Sequence, residues 1–301
     1  MDKNLIKEAE SLLNNTGTDR RSFLKTGAVA TVGLGYVAAA EPVLAQAIQT
    51  NFDGIDAQEV TFKSKGFDVP AYVARPKKAA KNGLPVVFVV SEIFGVHEYI
   101  ADVARRFAKM GYLAIAPEFF VRAGDPNTLG TMAEILKEIV GKTPDDQVLA
   151  DVQAGIDWAG KNGGDVKRVG ITGFCWGGRI TWLACAQLPQ MRAGVAWYGR
   201  VVGDKTPNNP LHPVDVAAQM KAPVLGLYGG ADTGISLESV DQMKQALAAA
   251  KTNKAAQASR FEIYPDAPHA FHADYRNTYR EGPAKDGWNK CLAWFKQQGV
   301  V

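Results

Sequence analysis

Apolar positions along the chain change period repeatedly, and the changes predict the elements. Two short extended runs, 57–63 and 68–75, flank S-K-G-F and predict a hairpin. The stretch 84–91, L-P-V-V-F-V-V-S, is nearly continuous in β-branched residues, as a strand buried on both faces requires. Ile100, Val103, Phe107 and Met110 recur at helical spacing, with Gly111 placed to end that helix. A short strand is expected over 112–117, and Val148, Leu149, Val152, Ile156 and Ala159 mark a second amphipathic helix. Beyond it the pattern predicts a strand at 168–173, a helix at 180–188 and strands at 193–198 and 223–228 separated by a proline-rich loop. A helix at 237–250, a strand at 260–264 and a helix at 287–298 complete the chain. Alternating strands and helices with buried-type strands predict an α/β fold. Its mostly parallel, doubly wound sheet would have about eight strands flanked by helices, with the hairpin antiparallel at one edge.

Composition changes this picture only at the N-terminus. The 301 residues are 47% apolar and 22% charged, with 34 basic and 31 acidic side chains and a net charge of +3. That balance, without blocks of one sign, gives no support to nucleic-acid binding or a polybasic membrane role. The first 47 residues differ from the rest. D-R-R-S-F-L-K at 19–25 precedes a Gly/Ala-rich apolar run over 26–40, and A-Q-A at 45–47 offers small residues to a signal peptidase. Charged region, apolar region and small-residue site describe a secretory signal. Arg20 and Arg21, with Phe23, Leu24 and Lys25, resemble the twin-arginine export signal of bacteria. The alternatives are an amphipathic N-terminal helix or an uncleaved anchor, but an apolar run of about 15 residues falls short of the roughly 20 needed for stable membrane insertion. The expectation is therefore a signal over 1–47, cleaved after Ala47 and read by the twin-arginine export machinery. One domain would then span 48–301 in a protein working in the periplasm or outside the cell. Three cysteines do not form a disulfide framework.

The strongest chemical signal is G-F-C-W-G-G, 173–178, between the expected strand 168–173 and an apolar helix. A nucleophile flanked by glycines at a strand-to-helix turn is a nucleophile elbow, here with cysteine in place of serine. The glycines remove side chains that would clash in so tight a turn, and the helix N-terminus behind Cys175 favours its thiolate. Acid and histidine should follow in that order. Asp232, in G-G-A-D, and His269, in P-D-A-P-H, each come just after an expected strand. The roles expected are nucleophile for Cys175, general base and then acid for His269, and orienting carboxylate for Asp232. Cys185 and Cys291, on apolar helices, read as core residues. His97, His212 and His272 have no such positional support. A metal site from His269, His272 and Asp274 is a weaker alternative, because its spacing is loose and His269 is already used.

The segment V-S-E-I-F-G-V-H, 90–97, ends the first buried strand. In an elbow of this kind the loop there supplies one oxyanion N–H, and the residue after the nucleophile supplies the other. Those positions are the backbones of Ile93 and Trp176, and one such donor is worth roughly 3–4 kcal/mol. Glu92, beside Ile93, is expected near the sulfur.

At these residues the chain resembles the dienelactone hydrolase (carboxymethylenebutenolidase) family. The motifs S-E-I-F-G-V, G-F-C-W-G-G, A-W-Y-G, G-G-A-D and A-P-H-A-F carry the resemblance, which runs from about Gln58 to Val300. It implies an α/β-hydrolase fold, no cofactor, and hydrolysis of a small ester or lactone through a cysteine acyl-enzyme. It also implies that Glu92 holds the resting thiol until substrate frees the cysteine to ionise towards His269. The departures concern substrate. The arginine that binds substrate carboxylate in the dienelactone-specific members corresponds to Ala273, with His272, Arg276 and Arg280 nearby as substitutes. Phe94, Tyr198 and Phe271, with Trp176, are expected as pocket walls. The competing class is a non-catalytic periplasmic small-molecule binding protein on the same fold.

Overall fold

The computed structural model describes residues 47–78 and 80–301. The expected signal over 1–47 lies outside the described residues except for Ala47. An eight-stranded sheet forms the centre: β1 (Ile55–Ser64), β2 (Phe67–Pro76), β3 (Leu84–Val90), β4 (Leu113–Pro117), β5 (Gly164–Phe174), β6 (Met191–Trp197), β7 (Val224–Gly229) and β8 (Arg260–Tyr264). Their order is β1-β2-β4-β3-β5-β6-β7-β8. The β1–β2 and β2–β4 pairs are antiparallel, and every pairing from β4–β3 onward is parallel. This is the α/β-hydrolase architecture expected from the sequence.

Five longer helices flank the sheet: α1 (Glu98–Lys109), α2 (Asp145–Lys161), α3 (Trp176–Gln187), α4 (Leu237–Ala249) and α5 (Glu281–Gln297). None of the described helices is long and apolar enough to cross a membrane. All seven residues of β3 and all five of β4 are buried, which is why these strands read as unbroken apolar runs. On α1, Ile100, Val103 and Phe107 are fully buried, whereas Met110 is half exposed. Met110 is the C-cap, and Gly111 follows at φ +95°, so the chain has left the helical path and the spacing that held for about two turns no longer faces the core.

Three element starts differ from expectation by more than two residues. Helix α3 begins at Trp176 rather than 180, and α5 at Glu281 rather than 287. Strand β5 begins at Gly164 rather than 168, its first residues pairing with β3 across a register shift at Pro85/Val86. The stretch between β4 and α2 carries an unanticipated helical segment: a short α-turn at Met132–Glu134, a π-turn over Ile135–Ile139 and a 3₁₀ turn over Val140–Lys142. Its N-terminus is fixed by a capping box in which Thr131 and Glu134 bond reciprocally.

Candidate active site

The site is assembled at the carboxyl edge of the parallel strands. The chain turns from β5 into α3 at Cys175, which sits at φ +54°, ψ −115°, a conformation that L-residues rarely adopt. Hydrogen bonds hold it there: the Cys175 N–H donates to the Trp197 carbonyl at 3.0 Å, and its own carbonyl accepts from Gly178 N–H at 2.9 Å. Gly173 and Gly177 are required by close approach. A Cβ at Gly173 would lie 2.1 Å from the Gly177 carbonyl oxygen, and one at Gly177 would lie 2.4 Å from that of Val90. The turn therefore wedges Cys175 against the end of β3. Behind it, Arg179 on α3 forms a buried two-pronged pair with Asp145 at 2.6 and 2.7 Å, tying α3 to the start of α2.

Asp232 follows β7 and His269 follows β8, as expected. The His269 Nδ1 and Asp232 Oδ2 are 2.7 Å apart, and both side chains are fully buried. The second carboxylate oxygen, Oδ1, accepts from the N–H groups of Gly234 at 2.8 Å and Ile235 at 2.9 Å. This arrangement leaves Asp232 one orientation and puts the imidazole proton on Nδ1, so that Nε2 is the proton-accepting nitrogen. The His269 ring lies 5.1 Å from that of Tyr198, centroid to centroid. Burial first, then the charges of Glu92 and Cys175, raises the Tyr198 phenol well above its ordinary value. Tyr198 directly follows Trp197, whose carbonyl receives the Cys175 N–H, so the cysteine turn and the histidine meet at this residue.

The other expected residues fall as follows. Ile93 and Trp176 lie at the ends of β3 and β5 and are 2% and 6% exposed. Trp176 packs against Phe119 and Phe120, with centroids 6.1 and 4.6 Å away. Phe94 lies beneath the Arg276 guanidinium at 5.0 Å. Phe271 is fully buried between Trp197, Tyr198 and Tyr264. Glu92 is buried, with Oε2 3.2 Å from the His97 Nε2. Burial pushes the thiols of Cys185 and Cys291 up, out of the range in which they ionise. The residues of H-A-F-H-A-D turn to three different partners: His269 to Asp232, His272 to the Tyr99 hydroxyl at 2.5 Å, and Asp274 to Arg106 at 2.5 Å.

Sequence reasoning missed two groups here. His97 had no positional support, yet it is the partner of Glu92, brought back by the turn at Gly95. Glu118, just past β4, accepts from the Val96 N–H at 2.8 Å, and burial pushes its carboxyl up to about 7. Nothing in the local sequence marks it, because the contact spans 22 residues.

A profile described as the dienelactone hydrolase family matches residues 69–299. A protein named "Putative carboxymethylenebutenolidase" from Salmonella typhimurium is 54% identical over 265 residues, covering 88% of this chain and 96% of its own. One of the same name from Methylorubrum extorquens is 49% identical over 296 residues, covering 98% of each. The crystal structure of a putative dienelactone hydrolase from Klebsiella pneumoniae superimposes with a TM-score of 0.78 at 53% identity, over 81% of this chain and all of that one. By profile, sequence and structure alike, the chain belongs to the dienelactone hydrolase family and is a carboxymethylenebutenolidase-like hydrolase.

Proposed function

We propose that the protein hydrolyses a small ester or lactone through a cysteine acyl-enzyme, with Cys175, His269 and Asp232 as the triad. The observation that carries this reading is the buried Asp232–His269 pair gathered with the strained Cys175 turn around Tyr198. In the first step the Cys175 thiol gives its proton to His269 Nε2, and Sγ attacks the carbonyl carbon. The carbonyl oxygen becomes an oxyanion facing the backbone N–H groups of Ile93 and Trp176. Collapse expels the alkoxide, which takes the proton from His269 and leaves a thioester on Cys175. In the second step His269 deprotonates a water, which attacks the thioester. The carboxylate product leaves, and Cys175 and His269 return to their starting protonation.

Glu92, next to Ile93 and coupled with Cys175 to the Tyr198 phenol, is read as the group that holds the resting thiol. Phe94, Tyr198 and Phe271 are read as the aromatic wall of the substrate site. Residues 1–47 are read as a twin-arginine signal that delivers the protein to the periplasm.

Cys175→Ala tests the chemistry. It should abolish hydrolysis of an aryl ester and of lactones, and abolish the acyl adduct that mass spectrometry detects on the wild-type cysteine, with the fold unchanged. Retained turnover in this variant would sink the assignment.

A further inference from the structure

The segment after β4, E-F-F at 118–120, is not part of the proposed triad, yet it touches both sides of the oxyanion site. On one side, the Glu118 carboxylate accepts from the Val96 N–H at 2.8 Å. The same carboxylate lies against Gly95, where φ is +76° and an added Cβ would stand 2.9 Å from both oxygens. The loop 93–97 is therefore pressed directly onto Glu118, with no side chain between. The Glu118 N–H donates to the Pro70 carbonyl at 2.8 Å, which anchors it to β2. On the other side, Phe119 and Phe120, both buried, pack on the Trp176 ring at 6.1 and 4.6 Å. Ile93 and Trp176 follow different strands, β3 and β5, and no covalent geometry sets the distance between their N–H groups. Three consecutive residues span that gap.

We propose that Glu118 is a positioning residue for the oxyanion site: it clamps the loop bearing the Ile93 N–H while the aromatic pair beside it backs Trp176, so that both donors keep one spacing. This rests on the cysteine-hydrolase reading above. Glu118 touches no reacting atom and acts through the loop backbone.

The ionisation of Glu118 gives the clamp a signature. Its carboxyl is desolvated, the N–H groups of Val96 and Phe120 favour its charged form, and Asp125 opposes it, so that it titrates at about 7. Above that pH the carboxylate accepts strongly from Val96; below it the protonated group accepts weakly. Because the folded carboxyl titrates above its ordinary value, ionising it destabilises the fold. The contribution of Glu118 to stability therefore falls as pH rises from the ordinary glutamate range to about 7 and then levels off.

Glu118→Gln separates positioning from simple support. At pH 8 it should lower kcat about tenfold, as expected when an oxyanion donor is displaced by a fraction of an ångström, with KM within twofold. Its melting temperature at pH 8 should equal or exceed that of the wild type, because a buried charge has been removed. Activity and stability then move in opposite directions, which loss of a merely structural contact would not produce. A kcat within twofold of wild type, or a loss of kcat matched by a fall in melting temperature, overturns the proposal. Should the variant not fold, the wild-type protein decides. The Val96 amide proton should titrate with a midpoint near 7 in ¹⁵N-resolved spectra, and a flat shift from pH 5.5 to 8.5 overturns the clamp. Cys175→Ala, assayed alongside, separates the two readings: activity surviving there refutes the cysteine mechanism, whereas an inactive Cys175→Ala with an unaffected Glu118→Gln refutes only the clamp.

Discussion

Asp232→Asn is the sharpest probe of the proposed triad, because the structure dictates how the new amide must sit. Asp232 Oδ1 accepts two backbone N–H bonds, from Gly234 and Ile235, at 2.8 and 2.9 Å. An asparagine at 232 must keep its carbonyl oxygen there, since turning its NH₂ toward two donors would leave three buried groups unsatisfied. The NH₂ then replaces Oδ2, 2.7 Å from His269 Nδ1. A donor at that position requires Nδ1 to accept, which moves the imidazole proton to Nε2. The nitrogen meant to take the thiol proton is already protonated, and the imidazolium formed in acylation loses its counter-charge. The same substitution in a serine protease triad lowers kcat about 10⁴-fold through the wrong tautomer. Here the nucleophile is a thiol that ionises without help more readily than a hydroxyl, so the expected loss is roughly 10³- to 10⁴-fold, about 4–5.5 kcal/mol of transition-state stabilisation. Single-turnover release of a chromogenic leaving group at pH 7.5 measures acylation directly. A loss under tenfold, with the variant folded and Cys175→Ala inactive, would refute the assignment of Asp232 as the orienting carboxylate.

The remaining predictions concern substrate, scaffold and address. Of the three basic residues near Ala273, His272 is buried, and burial and then Arg106 hold it well below its ordinary value, while the exposed Arg280 donates to the Asn277 and Tyr279 carbonyls. Arg276 is the one whose guanidinium lies over Phe94. Arg276→Ala should therefore lower kcat/KM for carboxylate-bearing lactones by about tenfold or more, the worth of one charge-assisted hydrogen bond, and leave neutral esters within threefold. Equal losses on both substrate classes would show that Arg276 acts structurally. Asp145→Ala removes the counter-charge of the buried Arg179 on α3, and urea melts should show about 3–5 kcal/mol of lost stability; a change under 1 kcal/mol would mean that its bonds to the Leu211 carbonyl and His212 suffice. Replacing Arg20 and Arg21 by lysine should retain the protein in the cytoplasm on fractionation, and continued periplasmic delivery would exclude the twin-arginine route.

The parts of the fold legible in the sequence are those where burial acts on every residue. Strands β3, β4 and β7 have no exposed face, so their apolar runs announce them. The two helix starts differ from expectation where glycine and proline serve another purpose. Gly282 and Pro283 look like breakers before 287, but they occupy the first turn of α5, where a proline lacks only an N–H that would have no partner in the helix. Gly177 and Gly178 look like turn residues, yet they are the first turn of α3, kept small by the backbones of β3 and β6. The helical segment from Met132 carried a legible signal in T-M-A-E, the capping box, whose helix is too short and irregular for periodicity to reveal.

The site divides along the same line. Cys175, Asp232 and His269 could be nominated together because each follows a strand, and a parallel sheet delivers successive strand ends to one edge; chain order then stands in for spatial order. His97 and Glu118 could not, because each is defined by a partner rather than by a place in the alternation. His97 meets Glu92 only because Gly95 turns the loop back, and Glu118 meets Val96 only because β4 lies next to β3 although α1 separates them in sequence. Both contacts involve the loop after β3, as does the proposed oxyanion donor at Ile93. A loop has no periodicity to fix its path, so its geometry must be imposed by side chains from elsewhere. The residues that aim such a loop are therefore buried polar groups on neighbouring elements, whose role is visible only once the strands have been ordered.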